Sequence, residues 1–192
     1  FQLTLNYPEY LHKSEDVLKG TGNATFPEGT MIKWHVVGKN TDKVNWVTKD
    51  TTIAFKIISS GFEFSKRIYS DVAYQVSTSN RNVEDFEKLD YRFTVVKDAY
   101  PSIKVSQVRD SLNPNVMYYS GEVSDDYGVA AVKLVYFPLD DVDGKISIPI
   151  GRYNTNLERF YYTFPSGLEL DQDREYNYYF EVVDNDRIHN GK

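Results

Sequence analysis

Cysteine is absent from the 192-residue chain. That excludes a disulfide framework, a thiolate metal site and a cysteine nucleophile. Histidine is scarce: His12, His35 and His189 are scattered, with no spacing suited to a zinc centre or a triad. Positive charge is not in excess. The formal net charge is −6 and the pI about 5.1, which argues against binding the phosphate backbone of nucleic acid. No apolar run approaches the roughly 18 residues that mark a membrane-spanning helix. The sequence opens at Phe1 without Met and shows no charged segment followed by an apolar one. It therefore reads as a piece of something longer, with any targeting segment removed. The Gly-x-Ser-x-Gly elbow, His-Glu-x-x-His, the phosphate-binding loop and Gly-x-Gly-x-x-Gly are all missing. No active site and no cofactor are expected.

What is present is aromatic and β-branched. Tyr numbers 16 and Phe 11, against 2 Met, and 41% of residues are apolar. That is too apolar for disorder and suited to pleated, half-buried surfaces. Met31–Val37 alternates, with Ile32, Trp34 and Val36 on one face and Lys33 and His35 on the other, the period of a half-buried strand. His35 is then a solvated residue. Further strand-like runs are Val44–Val47, Ile53–Ile58, Phe62–Phe64, Val72–Val76 and Tyr91–Val96 in the first half. The second half offers Val116–Tyr119, Val129–Phe137, Lys145–Ile150, Phe160–Phe164 and Glu175–Val183. Asn80–Lys88 reads as a loop or one helical turn. Asp140-Asp141-Val142-Asp143-Gly144 reads as a hairpin turn, because Asp-Gly tolerates positive φ. Short strands at this spacing predict an all-β protein of sandwich type.

Two echoes suggest duplication. Tyr7-Pro8 echoes Tyr100-Pro101, and Phe62–Ser70 followed by Asp71–Asn80 echoes Tyr161–Leu168 followed by Glu175–Asn185. This register predicts two tandem immunoglobulin-like β-sandwiches, 1–98 and 99–192, with a boundary near 97–101 and the second lacking its closing strand. Each half approaches the roughly 100 residues of such a domain. The short, proline-containing linker limits domain motion. Expected core residues are Ile32, Trp34, Val36, Trp46, Tyr74 and Val76 in the first, and Val132, Leu134, Phe164 and Phe180 in the second.

The halves differ in charge. Residues 1–99 carry 13 charges of each sign, whereas residues 100–192 carry 9 basic and 15 acidic ones and 11 of the 16 tyrosines. The pairs Tyr118-Tyr119, Tyr161-Tyr162 and Tyr178-Tyr179 each place one ring inward and one outward. Tyr119, Tyr161 and Tyr179 are the outward candidates, an aromatic strip for a carbohydrate or peptide if their strands are neighbours. Packing against the rest of the protein is the bland alternative. Two acidic segments fail the EF-hand pattern: Asp141-Val142-Asp143-Gly144 stands between Leu139 and Ile150 where oxygen ligands are needed, and Asp171–Glu175 is followed by Tyr176 where Gly is needed. Asp98, Asp125, Asp126, Asp184 and Asp186 could instead converge on calcium, although turn chemistry also explains them and Lys97 adjoins Asp98. Asn23-Ala24-Thr25 matches a glycosylation pattern.

Four segments resemble a family of large bacterial envelope proteins classed as a domain of unknown function. They are Tyr7-Pro8-Glu9-Tyr10, Phe26-Pro27-Glu28-Gly29-Thr30, Asp125-Asp126-Tyr127-Gly128 and Val183-Asp184-Asn185-Asp186. Phe26 replaces the family's usual Val. The resemblance implies membrane anchoring near the N-terminus of the parent protein, tandem sandwiches outside the cytoplasm and long helical regions beyond. It carries over no catalytic or ligand residue. The expected function is a non-catalytic structural or protein-interaction module in the periplasm or at the cell surface. A tyrosine-based binding module is the alternative, and calcium-rigidified adhesion a weaker one.

Overall fold

A computed structural model describes residues 1–186 and Ile188. The chain is nearly all β, with no α-helix among the described residues. Among the described residues no helix is long and apolar enough to cross a membrane. It divides into two compact units, Phe1–Lys97 and Asp98–Lys192.

The first unit is a sandwich of short strands: β1 (Gln2–Asn6), β2 (Asp16–Lys19), β3 (Ala24–Pro27), β4 (Thr30–Val36), β5 (Lys43–Val47), β6 (Thr52–Ala54), β7 (Lys56–Ile58), β8 (Gly61–Ile68), β9 (Val72–Ser79) and β10 (Glu87–Val96). One sheet has the order β2-β1-β4-β8-β7, the other β3-β10-β9-β5-β6. All pairs are antiparallel except β3 with β10. The alternation around Trp34 places Ile32, Trp34 and Val36 in the core together with Trp46, Tyr74, Val76 and Phe93. Trp34 meets the opposite sheet at Trp46 and Phe93, with ring centroids 6.3 and 5.6 Å away. Trp34 and Tyr74 carry polar atoms inside, and these find partners. Trp34 Nε1 donates to the Tyr74 hydroxyl at 3.2 Å, and that hydroxyl donates to the Gly22 carbonyl at 2.6 Å. The Pro27-Glu28-Gly29-Thr30 segment carries the chain from one sheet to the other. Gly29 adopts φ +77°, Thr30 Oγ1 donates to Pro27 O at 2.6 Å, and Arg67 donates to Gly29 O at 2.8 Å.

The second unit uses four strands: β11 (Ser102–Arg109), β12 (Met117–Pro138), β13 (Ile146–Phe164) and β14 (Tyr176–Asp184). Val116–Tyr119 and Val129–Phe137, expected as separate strands, fall on one continuous strand, and Lys145–Ile150 and Phe160–Phe164 on another. The first arm of β12 lies between β11 and the last residues of β13. Its second arm lies between the first residues of β13 and β14. The β12–β13 ribbon bends so that its arms face each other. Tyr119 and Phe160 of the first arms meet Phe180 of β14 at 5.1 and 5.3 Å, and Phe164 stacks on Tyr178 at 4.8 Å. Val123, Val129, Val132 and Phe160 form the buried centre, with Phe180 packed against it. Gly121 admits the Phe160 ring directly opposite it, because a Cβ there would stand 2.2 Å from a ring carbon. The Leu139–Lys145 connection is closed by Asp141, whose backbone carbonyl and Oδ1 both accept the Gly144 N–H.

The two units share a neighbour order. In the first, β4 pairs β1 and β8, and β5 pairs β6 and β9. In the second, the first arm of β12 pairs β11 and the end of β13, while the second arm pairs the start of β13 and β14. In the first unit β10 lies beside β9. In the second, no strand among the described residues lies on the other side of β14.

Candidate functional site

The chemistry-bearing residues of the second unit gather where β12 bends. Residues 125–128 stand opposite Asn156 alone, between the pairs Ser124–Leu157 and Val129–Thr155. Such an excess of residues on one strand bends it and increases its twist. Gly128 takes φ +124°, where a side chain is strained, and a Cβ would approach Asn185 Nδ2 to 3.0 Å. Polar side chains hold the bulged backbone. Asp125 Oδ2 accepts the N–H groups of Tyr127 and Gly128 at 2.9 and 2.7 Å. Asn156 donates to Asp126 O at 2.6 Å, and Asn185 Nδ2 to Tyr127 O at 2.7 Å. Asn185 N–H donates to Gly128 O at 3.1 Å. Beyond β14, Asp184 Oδ1 accepts the Asp186 N–H and Asp186 Oδ1 the Ile188 N–H.

The result is an acidic corner. Asp98, Asp125 and Asp126 each present a carboxylate oxygen, all within 4.8 Å of one another. Asp125 is 9% exposed, Asp184 3% and Asp186 1%, whereas Asp126 is exposed. Burial pushes the Asp125 carboxyl above the usual carboxylate range. The two N–H donors oppose that shift, and the neighbouring charges of Asp126 and Asp184 add to it. These residues offer only oxygen ligands, suited to a hard cation.

The tyrosines divide differently. Tyr119 is not outward: it is 6% exposed, its hydroxyl shares a hydrogen bond with that of Tyr178, and its ring packs on Phe180. The outward member of its pair is Tyr118, whose hydroxyl donates to Asp110 at 2.9 Å. Tyr161 and Tyr179 are exposed, at 73% and 41%. Their inward neighbours Tyr162 and Phe180 face each other at 6.0 Å. Tyr161 and Tyr179 therefore stand on the outer faces of opposite arms and form no common strip. The phase of Tyr118-Tyr119 was ambiguous in sequence because the two residues are identical and either could take the inward position.

The acidic segments near 141 and 171 serve the fold. Arg174 pairs with Asp140 at 2.7 Å and lies 3.9 Å from Asp171. His35 is on the face of β4 opposite Trp34, and His12 ends a short 3-10 turn. His189 lies outside the described residues. In the Asn23-Ala24-Thr25 pattern, Asn23 Oδ1 accepts the Arg92 N–H at 2.7 Å. Sequence reasoning missed Asn156 as a holder of the bend. Its signal was faint: two asparagines flanking Thr155 inside an otherwise strand-like run.

No protein-family model matches the chain, and no curated protein matches it.

Proposed function

We propose that the chain is a non-catalytic structural and interaction module, made of two immunoglobulin-like sandwiches in series, from the extracytoplasmic part of a bacterial envelope protein. The observation that carries this reading is the shared neighbour order of the two units, β1-β4-β8 with β6-β5-β9 and its counterpart in β11 to β14. A repeated sandwich is a common way to set a distance and present edges and loops. The resemblance to envelope proteins supports the setting. Each segment that carries it has a structural task here: Tyr10 is buried, Gly29 turns the chain between sheets, Gly128 bends β12, and Asn185 ties β14 to that bend.

The test is replacement within the parent protein. Residues 1–192 are exchanged for an unrelated pair of sandwiches of similar length, and the phenotype is compared with that of a deletion. Rescue by the unrelated pair supports spacing. Failure of that rescue, with loss of a cross-linked partner, supports interaction. Turnover of any substrate by the purified chain overturns the proposal.

A further inference from the structure

Acidic groups at the surface of a β protein are ordinary, and proximity alone gives them no task. The corner at the bend of β12 differs in one respect. Asp125 is nine-tenths buried, and only one of its oxygens is satisfied. Oδ2 takes both N–H groups of the bulge, whereas Oδ1 is shut off from solvent and meets no donor. A buried carboxylate oxygen without a hydrogen bond costs free energy unless something positive stands against it. Among the described residues no lysine or arginine forms an ion pair with Asp125 or Asp126. A second oxygen, Oδ1 of Asn185, is likewise buried with no donor, on a side chain whose amide nitrogen is fixed to the Tyr127 carbonyl.

We propose that the bend of β12 is a calcium site, with Asp125 as its buried ligand, Asp98 and Asp126 as its other carboxylates, and Asn185 beside them as a further oxygen donor. The ligand set is all oxygen, as a hard divalent cation requires. Three carboxylate oxygens within 4.8 Å of one another can meet on one ion. An irregular set of this kind suits calcium, which accepts variable coordination, better than magnesium, which demands a near-ideal octahedron. The site also has a structural use. It joins residue 98, at the start of the second unit, to the corner of β12 and to the segment after β14. Bound calcium therefore ties three separated stretches of chain within one unit.

The experiment uses the full chain. Calcium is titrated from about 10 µM to 5 mM, the range that covers extracellular modules, by calorimetry. Melting is followed by tyrosine circular dichroism in calcium, in magnesium and in chelator. The expected result is a dissociation constant in the titrated range and a melting temperature about 5–10 °C higher at a tenfold excess of calcium over that constant. Magnesium at the same concentration has a smaller effect. Asp126→Asn, an exposed change that removes no hydrogen bond of the bulge, and Asp98→Asn each weaken binding by at least about tenfold. Terbium provides a second readout, because an oxygen-liganded lanthanide beside Tyr127 emits when tyrosine is excited, and calcium quenches that emission by competition. Binding by both metals that survives Asp98→Asn and Asp126→Asn overturns the assignment. So does the absence of any calcium-dependent heat, melting shift or terbium emission in the unsubstituted chain.

Discussion

The two units reach one neighbour order by opposite routes. The first changes sheet through loops and turns, as at Val37–Asp42 between β4 and β5 and at Gly29 between β3 and β4. The second makes the same change without leaving the strand, by bending β12 at Asp125–Gly128. The cost of each route differs. Loops leave short strands that can be filled on one face with large rigid side chains, and the first unit holds both tryptophans in its core. A bent ribbon needs a glycine under an opposing ring, a glycine at the corner and tyrosines long enough to bridge its arms, and those tyrosines bring hydroxyls that must be paired. Burial, the hydrogen bond to Tyr178 and the neighbouring phenols push the Tyr119 hydroxyl upward in pKa. Burial chiefly does the same to Tyr162, to about 12.

The contrast can be broken most sharply in the first unit. Trp34→Ala removes a fully buried ring from between two sheets and should cost about 3–5 kcal/mol. Fluorescence of the remaining Trp46 reports that unit alone, since the second has no tryptophan. Melting like that of the unsubstituted chain would refute the strand phase. In the second unit, Gly121→Val drives a branched side chain into the Phe160 ring and should cost about 2–3 kcal/mol by tyrosine circular dichroism. Gly128→Ala, strained by its φ, should cost about 1–2 kcal/mol. A smaller step is Tyr119→Phe, expected to lose about 1 kcal/mol with its hydrogen bond, while Tyr161→Ala on the exposed face stays within about 0.5 kcal/mol. If Tyr161→Ala proved the costlier, the inward and outward assignment of these strands would be reversed.

Acid supplies the finest probe. Asp71 accepts the Val95 N–H at 2.8 Å and pairs with Arg92, and these contacts hold its carboxyl below the usual 3.8. A lowered folded value means that its contribution to the first unit is present above about 3.8 and is lost as pH falls through the folded value. Asp71→Asn should flatten that part of the acid dependence of tryptophan-monitored stability and leave neutral-pH unfolding cooperative.

Much of this was visible in the residues. The β-rich class followed from alternation, and Trp34, Trp46, Tyr74, Val132 and Leu134 all lie in cores. What escaped was continuity. Gly121, Asp125-Asp126 and Gly128 have the composition of turns, and only the ribbon opposite shows that they are strand. Strands β2 and β11 also escaped, being edge strands whose side chains alternate weakly, and so did β1, whose alternation of Leu3 and Leu5 with polar residues spans only five residues. β11 has only one partly buried residue, Ile103. At the acidic corner the residues themselves were legible, because Asp98, Asp125 and Asp126 stood out as possible convergent oxygens. The buried, half-satisfied state of Asp125 was not, since it depends on which face of a bulge the carboxylate enters.

The unbroken β12–β13 ribbon has a kinetic consequence. Its pairing spreads outward from a single short connection, so each rung closes a loop only slightly longer than the last. In the first unit Phe26 must find Val95 across most of the unit's length before β3 can dock in parallel beside β10. Chains dominated by such distant contacts assemble more slowly. The tyrosine-rich unit should therefore reach its folded form first after dilution from denaturant, with the tryptophan signal lagging behind.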